Sequence, residues 1–167
     1  MSPVEKTEAW VRDFVLAHAL CPFAARPYAL GSVLTVALEG SDLEACFHAA
    51  LTQVQTLLDE EPAMIETTLL VFPEALADFE TFLDFLATFY DALEEVGADE
   101  LVQLAHFHPD YQFDDTRPED PGNRTNRSPY PVIQLLRSQS VAEAIVAYPD
   151  IEKIPERNIA KMRELFA

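Results

Sequence analysis

The chain has 167 residues, a formal net charge of −18 and 49% hydrophobic residues. That length fits a single domain, 1–167, able to bury a core without staples, and the apolar content argues against disorder. Such an acidic chain lacks the basic footprint nucleic acid demands and is repelled by anionic lipid, so neither is an expected partner.

Ser2-Pro3-Val4-Glu5 is a capping box with proline at the first helical position, so a helix is predicted to start there. Trp10, Val11, Phe14, Val15 and His18 follow at helical spacing until Cys21-Pro22 stops it. Residues 27–31 read as loop and 32–38 as a strand. Ser41-Asp-Leu-Glu44 is a second capping box, ahead of an apolar stripe of Leu43, Phe47, Ala50, Leu51, Val54 and Leu58. Residues 65–72 are β-branched and apolar, which predicts a buried strand. Pro73 is predicted to open a long helix that Gly97 closes, and 101–108 reads as a third strand.

From 109 to 131 there is no periodic pattern, and a loop that long inside a compact domain is usually functional. Its aromatics Tyr111, Phe113 and Tyr130 predict that it is ordered. Short helices are expected at 131–137, at 140–148 with the capping box Ser140-Val-Ala-Glu143, and after Pro155. Strand–helix–strand–helix–strand implies crossover connections. The expected fold is therefore α/β: a single domain with a small, mostly parallel sheet of about three strands flanked by helices. A long ordered loop follows the third strand, and the C-terminus is helical.

The N-terminus lacks the basic head and continuous apolar run of a signal peptide, and no apolar run is long enough to cross a bilayer. Cys21 and Cys46 are too few and too far apart for a disulfide framework or zinc knuckle. The expectation is a reduced, cytoplasmic protein. Asn123 and Asn126 match the glycosylation pattern, which matters only in a secreted chain.

Charge placement points to a site. Residues 27–116 contain no Lys or Arg, and then Arg117, Arg124, Arg127 and Arg137 arrive close together in a proline-rich stretch. Guanidinium forks and amides suit carboxylates and phosphates. In parallel sheets ligands sit beyond the carboxyl ends of strands, and this loop leaves from the third of them.

The expected function is a small-molecule enzyme with an anionic carboxylate or phosphate substrate. Asn126, Arg127, Ser128 and Tyr130 would hold that anion, with Tyr111, Arg26 and Arg137 as further binding residues and His108 as acid or base. Each residue also has a plainer reading. Arg127 would pin the loop by pairing with an acidic neighbour, and His108 would hydrogen-bond the loop backbone and hold the Pro109 turn. Arg117 and Arg124, near Asp114, Asp115, Glu119 and Asp120, read as solvated charges.

His106 and His108 share a strand face and with Asp110 could coordinate a metal, but a lone His-x-His with no second cluster is a weak signal, and no phosphate loop or dinucleotide fingerprint implies a cofactor. Cys21 as a nucleophile needs Arg26 or His18 nearby to lower its pKa, and otherwise reads as a small buried residue. It precedes the first strand, which puts it at the sheet end opposite His108 unless residues 20–31 wrap around. Two rival functions stay open: a protein-interaction module that docks a partner on the stiffened loop, and a thiol-based redox or sensing protein using Cys21.

Cys21-Pro-Phe-Ala24, Glu66-Thr-Thr-Leu-Leu-Val-Phe-Pro73, Phe107-His-Pro-Asp-Tyr-Gln-Phe113, Asn126-Arg-Ser-Pro-Tyr-Pro131 and Leu135-Leu-Arg137 together resemble an uncharacterised bacterial family catalogued as domain of unknown function 1415. Ile154-Pro-Glu-Arg-Asn-Ile159 is similar to that family's ending. The resemblance spans nearly the whole chain and implies a cytoplasmic bacterial protein, but it brings no activity. Two positions depart from the family pattern. Gln134-Leu-Leu-Arg-Ser138 stands where His-Leu-Leu-Arg-Glu is common, and Arg124 where an aromatic is commoner.

Overall fold

The computed structural model describes residues 1–148 and 150–167. Four strands, β1 (Val33–Ala37), β2 (Thr67–Val71), β3 (Val102–Phe107) and β4 (Val132–Arg137), form one sheet in the order β1-β2-β4-β3. β1 and β2 are parallel, with Val33 opposite Thr67. β4 runs antiparallel to both β2 and β3, pairing Thr67 with Leu136 and Val102 with Arg137. The sheet is therefore mixed and mostly antiparallel, which corrects the expected mostly parallel sheet of three strands.

The correction rests on one segment. Residues 132–137, expected as a short helix, are the inserted central strand. Six residues, of which Val132, Ile133, Leu135 and Leu136 are apolar, are too short a run to show a decisive period, so helix and strand are equally compatible with it. In the fold Ile133 and Leu135 join the core on one face while Val132 joins the cluster on the other, and burial on both faces is what a central strand supplies. β1, β2 and β3 still run in one direction, because β4 reverses between β2 and β3.

Helix α1 (Pro3–Trp10) starts at the predicted capping box, with the Glu5 amide donating to Ser2 Oγ at 3.1 Å and the Ser2 amide to Glu5 Oε2 at 2.7 Å. It continues as a π-helical segment, Val11–Leu16. A short helix α2 (Ala25–Ala29) replaces part of the expected loop. α3 (Leu43–Asp59) is capped by Asp42 rather than Ser41. α4 (Phe79–Glu95) begins at the cap Asp78, not at Pro73, and ends where Gly97 takes the left-handed conformation at φ 74°. α5 (Ser138–Ala147) and α6 (Ile154–Phe166) complete the chain, and a 3-10 segment, Pro121–Asn126, orders the long loop.

α3 and α4 cover one face of the sheet. Their apolar stripes meet Leu70, Phe72, Ile133, Leu135 and Val102, and Phe47 of α3 packs edge-on against Phe85 and Phe89 of α4 at 5.7 and 5.8 Å. On the other face Trp10 and Val11 pack over Leu69, Val71 and Val132, and Trp10 meets Phe107 edge-on at 5.3 Å. Met162 of α6 closes a third cluster with Val15 and Leu20. α6 also presses on the ordered loop, where a Cβ on Gly122 would lie 2.8 Å from Ile159 Cγ2. Among the described residues no helix is long and apolar enough to cross a membrane.

Candidate functional site

His108 follows the end of β3 and is completely buried. The Asp110 amide donates to its Nδ1 at 3.0 Å, which leaves Nε2 to donate to the Leu76 carbonyl at 2.9 Å. The ring sits between Phe79 and Phe82, at 5.2 and 5.0 Å. Both nitrogens are thus occupied by backbone, the arrangement of the plainer reading given above. Proton transfer to a ligand would first require one of these bonds to break.

His106 points to the same face, with Phe82 at 6.5 Å and Tyr111 stacked on it at 5.6 Å. Its Nδ1 is buried with no hydrogen-bond partner among the described residues, and burial pushes the imidazole pKa down. Tyr111 is buried between Phe79, His106 and Phe113, and burial, then the charge of Asp114, raises its phenol pKa. Among the described residues no three His, Cys, Asp or Glu side chains gather where they could hold a metal ion.

The guanidinium groups do not converge. Arg127 donates from Nε to the Tyr111 carbonyl at 3.0 Å and from Nη2 to the Pro118 carbonyl at 2.7 Å, so it does pin the loop, through main-chain oxygens and not through an acid. Arg137 reaches the opposite end of the sheet, where Nη2 donates to the carbonyls of Leu57, Glu60 and Ile65 at 2.8, 2.9 and 2.6 Å. There it satisfies the last turn of α3 and complements the negative end of the helix dipole. Arg124 lies over the Phe166 ring at 4.1 Å. An anion approaching the Nε–Nη2 edge of Arg127 would have to displace these carbonyls.

Asn126 donates from Nδ2 to the His106 carbonyl at 3.0 Å, and its own carbonyl accepts from the His108 amide at 3.0 Å. With Tyr90 Oη donating to the Leu104 carbonyl at 3.3 Å, it occupies the free edge of β3. Ser128 Oγ donates to the Tyr130 carbonyl, and Tyr130 packs into the cluster around Val11. Asn123, fully buried, organises the loop: Oδ1 accepts from the Phe113 amide at 2.9 Å and Nδ2 donates to the Arg117 carbonyl at 2.9 Å. The sequence reading weighed this residue only as a glycosylation match, and no local signal marks it as the loop's organiser.

Cys21 is half-buried against the cluster of Val15, Leu20 and Met162. Burial pushes its thiol pKa up, offset only in part by hydrogen bonds from the backbone of Phe23 and Ala24. Arg26 is exposed. Two surface hollows are lined by none of Cys21, Arg26, His108 and Arg127.

Those hollows lie elsewhere. One, of about 190 Å³, is walled by Glu8 of α1, Tyr28 of α2, Gly31 in the following turn, and Val33 and Thr35 of β1. Thr35 Oγ1 is buried and has no hydrogen-bond partner among the described residues. The only hint in the sequence was a hydroxyl at the centre of an otherwise apolar strand. The other, of about 200 Å³, lies between Tyr148, Asp150, Ile151, Ile154 and Arg157.

The chain belongs to the family described as "Protein of unknown function (DUF1415)", whose model matches residues 2–167. No curated protein and no solved structure matches the chain. The family description names no activity, so function is argued from the geometry alone.

Proposed function

We propose that the protein is an interaction module of the cytoplasm whose docking face is α5, and that the partner seated on it is a second copy of the same chain. One observation carries the reading. α5 has no buried residue, although its sequence is largely apolar: Ile145, Val146 and Tyr148 are 51%, 84% and 43% exposed. A ten-residue helix is marginal by itself, and an apolar face normally needs a surface to cover it. α5 is tied at its ends, by the Ser138 amide on the Leu101 carbonyl and by Tyr148 edge-on to Phe23 at 5.2 Å, and only Ser140, Val141 and Ala144 along its middle are half-buried.

Charge distribution favours self-docking. Residues 27–116 carry 19 of the 29 acidic residues and none of the 11 basic ones. The N- and C-terminal segments, which supply α1, α5 and α6, are close to neutral. Two copies meeting through α5 would keep their acidic α3–α4 layers apart, so repulsion is least in that orientation. Sedimentation velocity over a concentration series tests the reading. The expected result is a dimer that tightens with added salt and that Val146→Asp weakens by roughly tenfold or more while the far-UV circular dichroism of the chain is unchanged. A monomer at all concentrations would overturn it.

A further inference from the structure

We propose that the outer edge of β1 takes an added strand, an extended peptide segment of a partner protein that carries Lys or Arg. The proposal is independent of the α5 docking face. β1 stands at the end of the sheet, so only one of its two sides is paired. The Leu38 amide donates to the Val71 carbonyl and the Ser32 carbonyl accepts from the Glu66 amide, so the even-numbered residues bond toward β2. Backbone groups alternate in direction along a strand, which turns the amides and carbonyls of Val33, Thr35 and Ala37 outward. Among the described residues these outward groups have no hydrogen-bond partner.

The opposite edge of the sheet is covered, by Asn126 on the His106 carbonyl and Tyr90 on the Leu104 carbonyl. Edge strands are normally guarded by charge, proline or a bulge. Residues 32–38, Ser-Val-Leu-Thr-Val-Ala-Leu, contain no charge and no proline, and the β1–β2 register runs without a bulge. Main-chain pairing along such an edge supplies affinity without a deep pocket. Charge selects the occupant. Between Arg26 and Arg117 the chain has no cation, Glu39 follows the strand, and Glu8 lies beside Val33 and Thr35. The cations of α1 and its continuation are engaged, Lys6 over the Tyr130 ring at 5.9 Å and Arg12 with Asp13 at 2.8 Å. A second copy would bring the same acids together, whereas a basic segment meets them with opposite charge.

The test combines amide hydrogen exchange with 1H–15N titrations of the full chain near neutral pH, using three capped peptides. One is acetyl-Lys-Val-Thr-Val-Lys-Val-Thr-amide, one is the same peptide N-methylated at every Val and Thr, and one has Glu in place of both Lys. In the free chain the Val33, Thr35 and Ala37 amides should exchange faster than those of Leu34 and Val36. The Lys peptide should shift the three outward amides saturably and slow their exchange, and the other two peptides should bind roughly tenfold more weakly or worse. Ala37→Pro, which removes an outward amide and leaves the bonds to β2, should weaken the Lys peptide to a similar degree. The proposal fails if the N-methylated or the Glu peptide binds as tightly as the Lys peptide, or if the Lys peptide does not saturate at these amides. It fails too if their protection rises with the concentration of the chain alone, which would assign the edge to a second copy.

Discussion

The Leu76 carbonyl that receives His108 belongs to a residue in an uncommon conformation. Leu76 is buried with φ 65°, a region that costs a bulky residue free energy unless its surroundings hold it there. His108 holds it, clamping the turn before α4 to the turn after β3 through one ring. Replacing the imidazole by a side chain of similar bulk without nitrogen leaves the Leu76 carbonyl and the Asp110 amide unpaired, at about 1–3 kcal/mol for each group that water cannot reach. His108→Phe is therefore expected to lower stability by about 2–4 kcal/mol in urea unfolding with an unchanged slope, while His108→Asn, which keeps a donor and an acceptor, loses less. A smaller loss for His108→Phe than for His108→Asn would show that packing between Phe79 and Phe82, and not hydrogen bonding, is what the ring provides.

Helix α6 is held to the ordered loop by an ion pair. Its Arg163 grips Asp120 in the ordered loop with Nε to Oδ1 at 3.1 Å and Nη2 to Oδ2 at 2.8 Å, next to the close contact of Ile159 with Gly122. Arg163 first, then the Gly122 amide, lowers the Asp120 pKa below its ordinary value. A depressed folded pKa means the stabilisation is fully present above the unfolded carboxylate value and is lost as pH falls through the folded one. Thermal melts of the native chain and of Asp120→Asn should differ at neutral pH and converge in strong acid. Because the pair is partly exposed, the difference should also shrink with salt. A gap that persists in acid would assign the effect to the shape of the side chain.

Charge divides the whole molecule into two sides. The α3–α4 layer and the strands β1, β2 and β3 come from the segment without a single Lys or Arg, while all 11 cations lie in the N-terminal segment, the ordered loop, β4 and the C-terminal stretch through α6. α3 and α4 bury their apolar stripes well, so the acidic residues on their outer faces repel one another in water without disturbing the core. Added sodium chloride should raise Tm progressively, with most of the gain reached by a few tenths molar, where screening is already short-ranged. A Tm that falls with salt would mean that ion pairs such as Arg163–Asp120 outweigh the repulsion.

The sequence by itself determined what depends on near neighbours. Ser2 and Glu5 set the start of α1, the apolar stripes set α3 and most of α4, Gly97 closed α4, and β-branched runs marked β1, β2 and β3. It also fixed the charge division, which is a matter of composition. Only the tertiary structure decided that 132–137 is a strand, since so short a mainly apolar segment acquires a period from the faces it is buried against. The same holds for the polar side chains read as a site. Arg137 finds its carbonyls 72 to 80 residues earlier and His108 finds Leu76 32 residues away, so whether a guanidinium or imidazole is spent inside the fold or left for a ligand is decided by chain segments no local pattern contains.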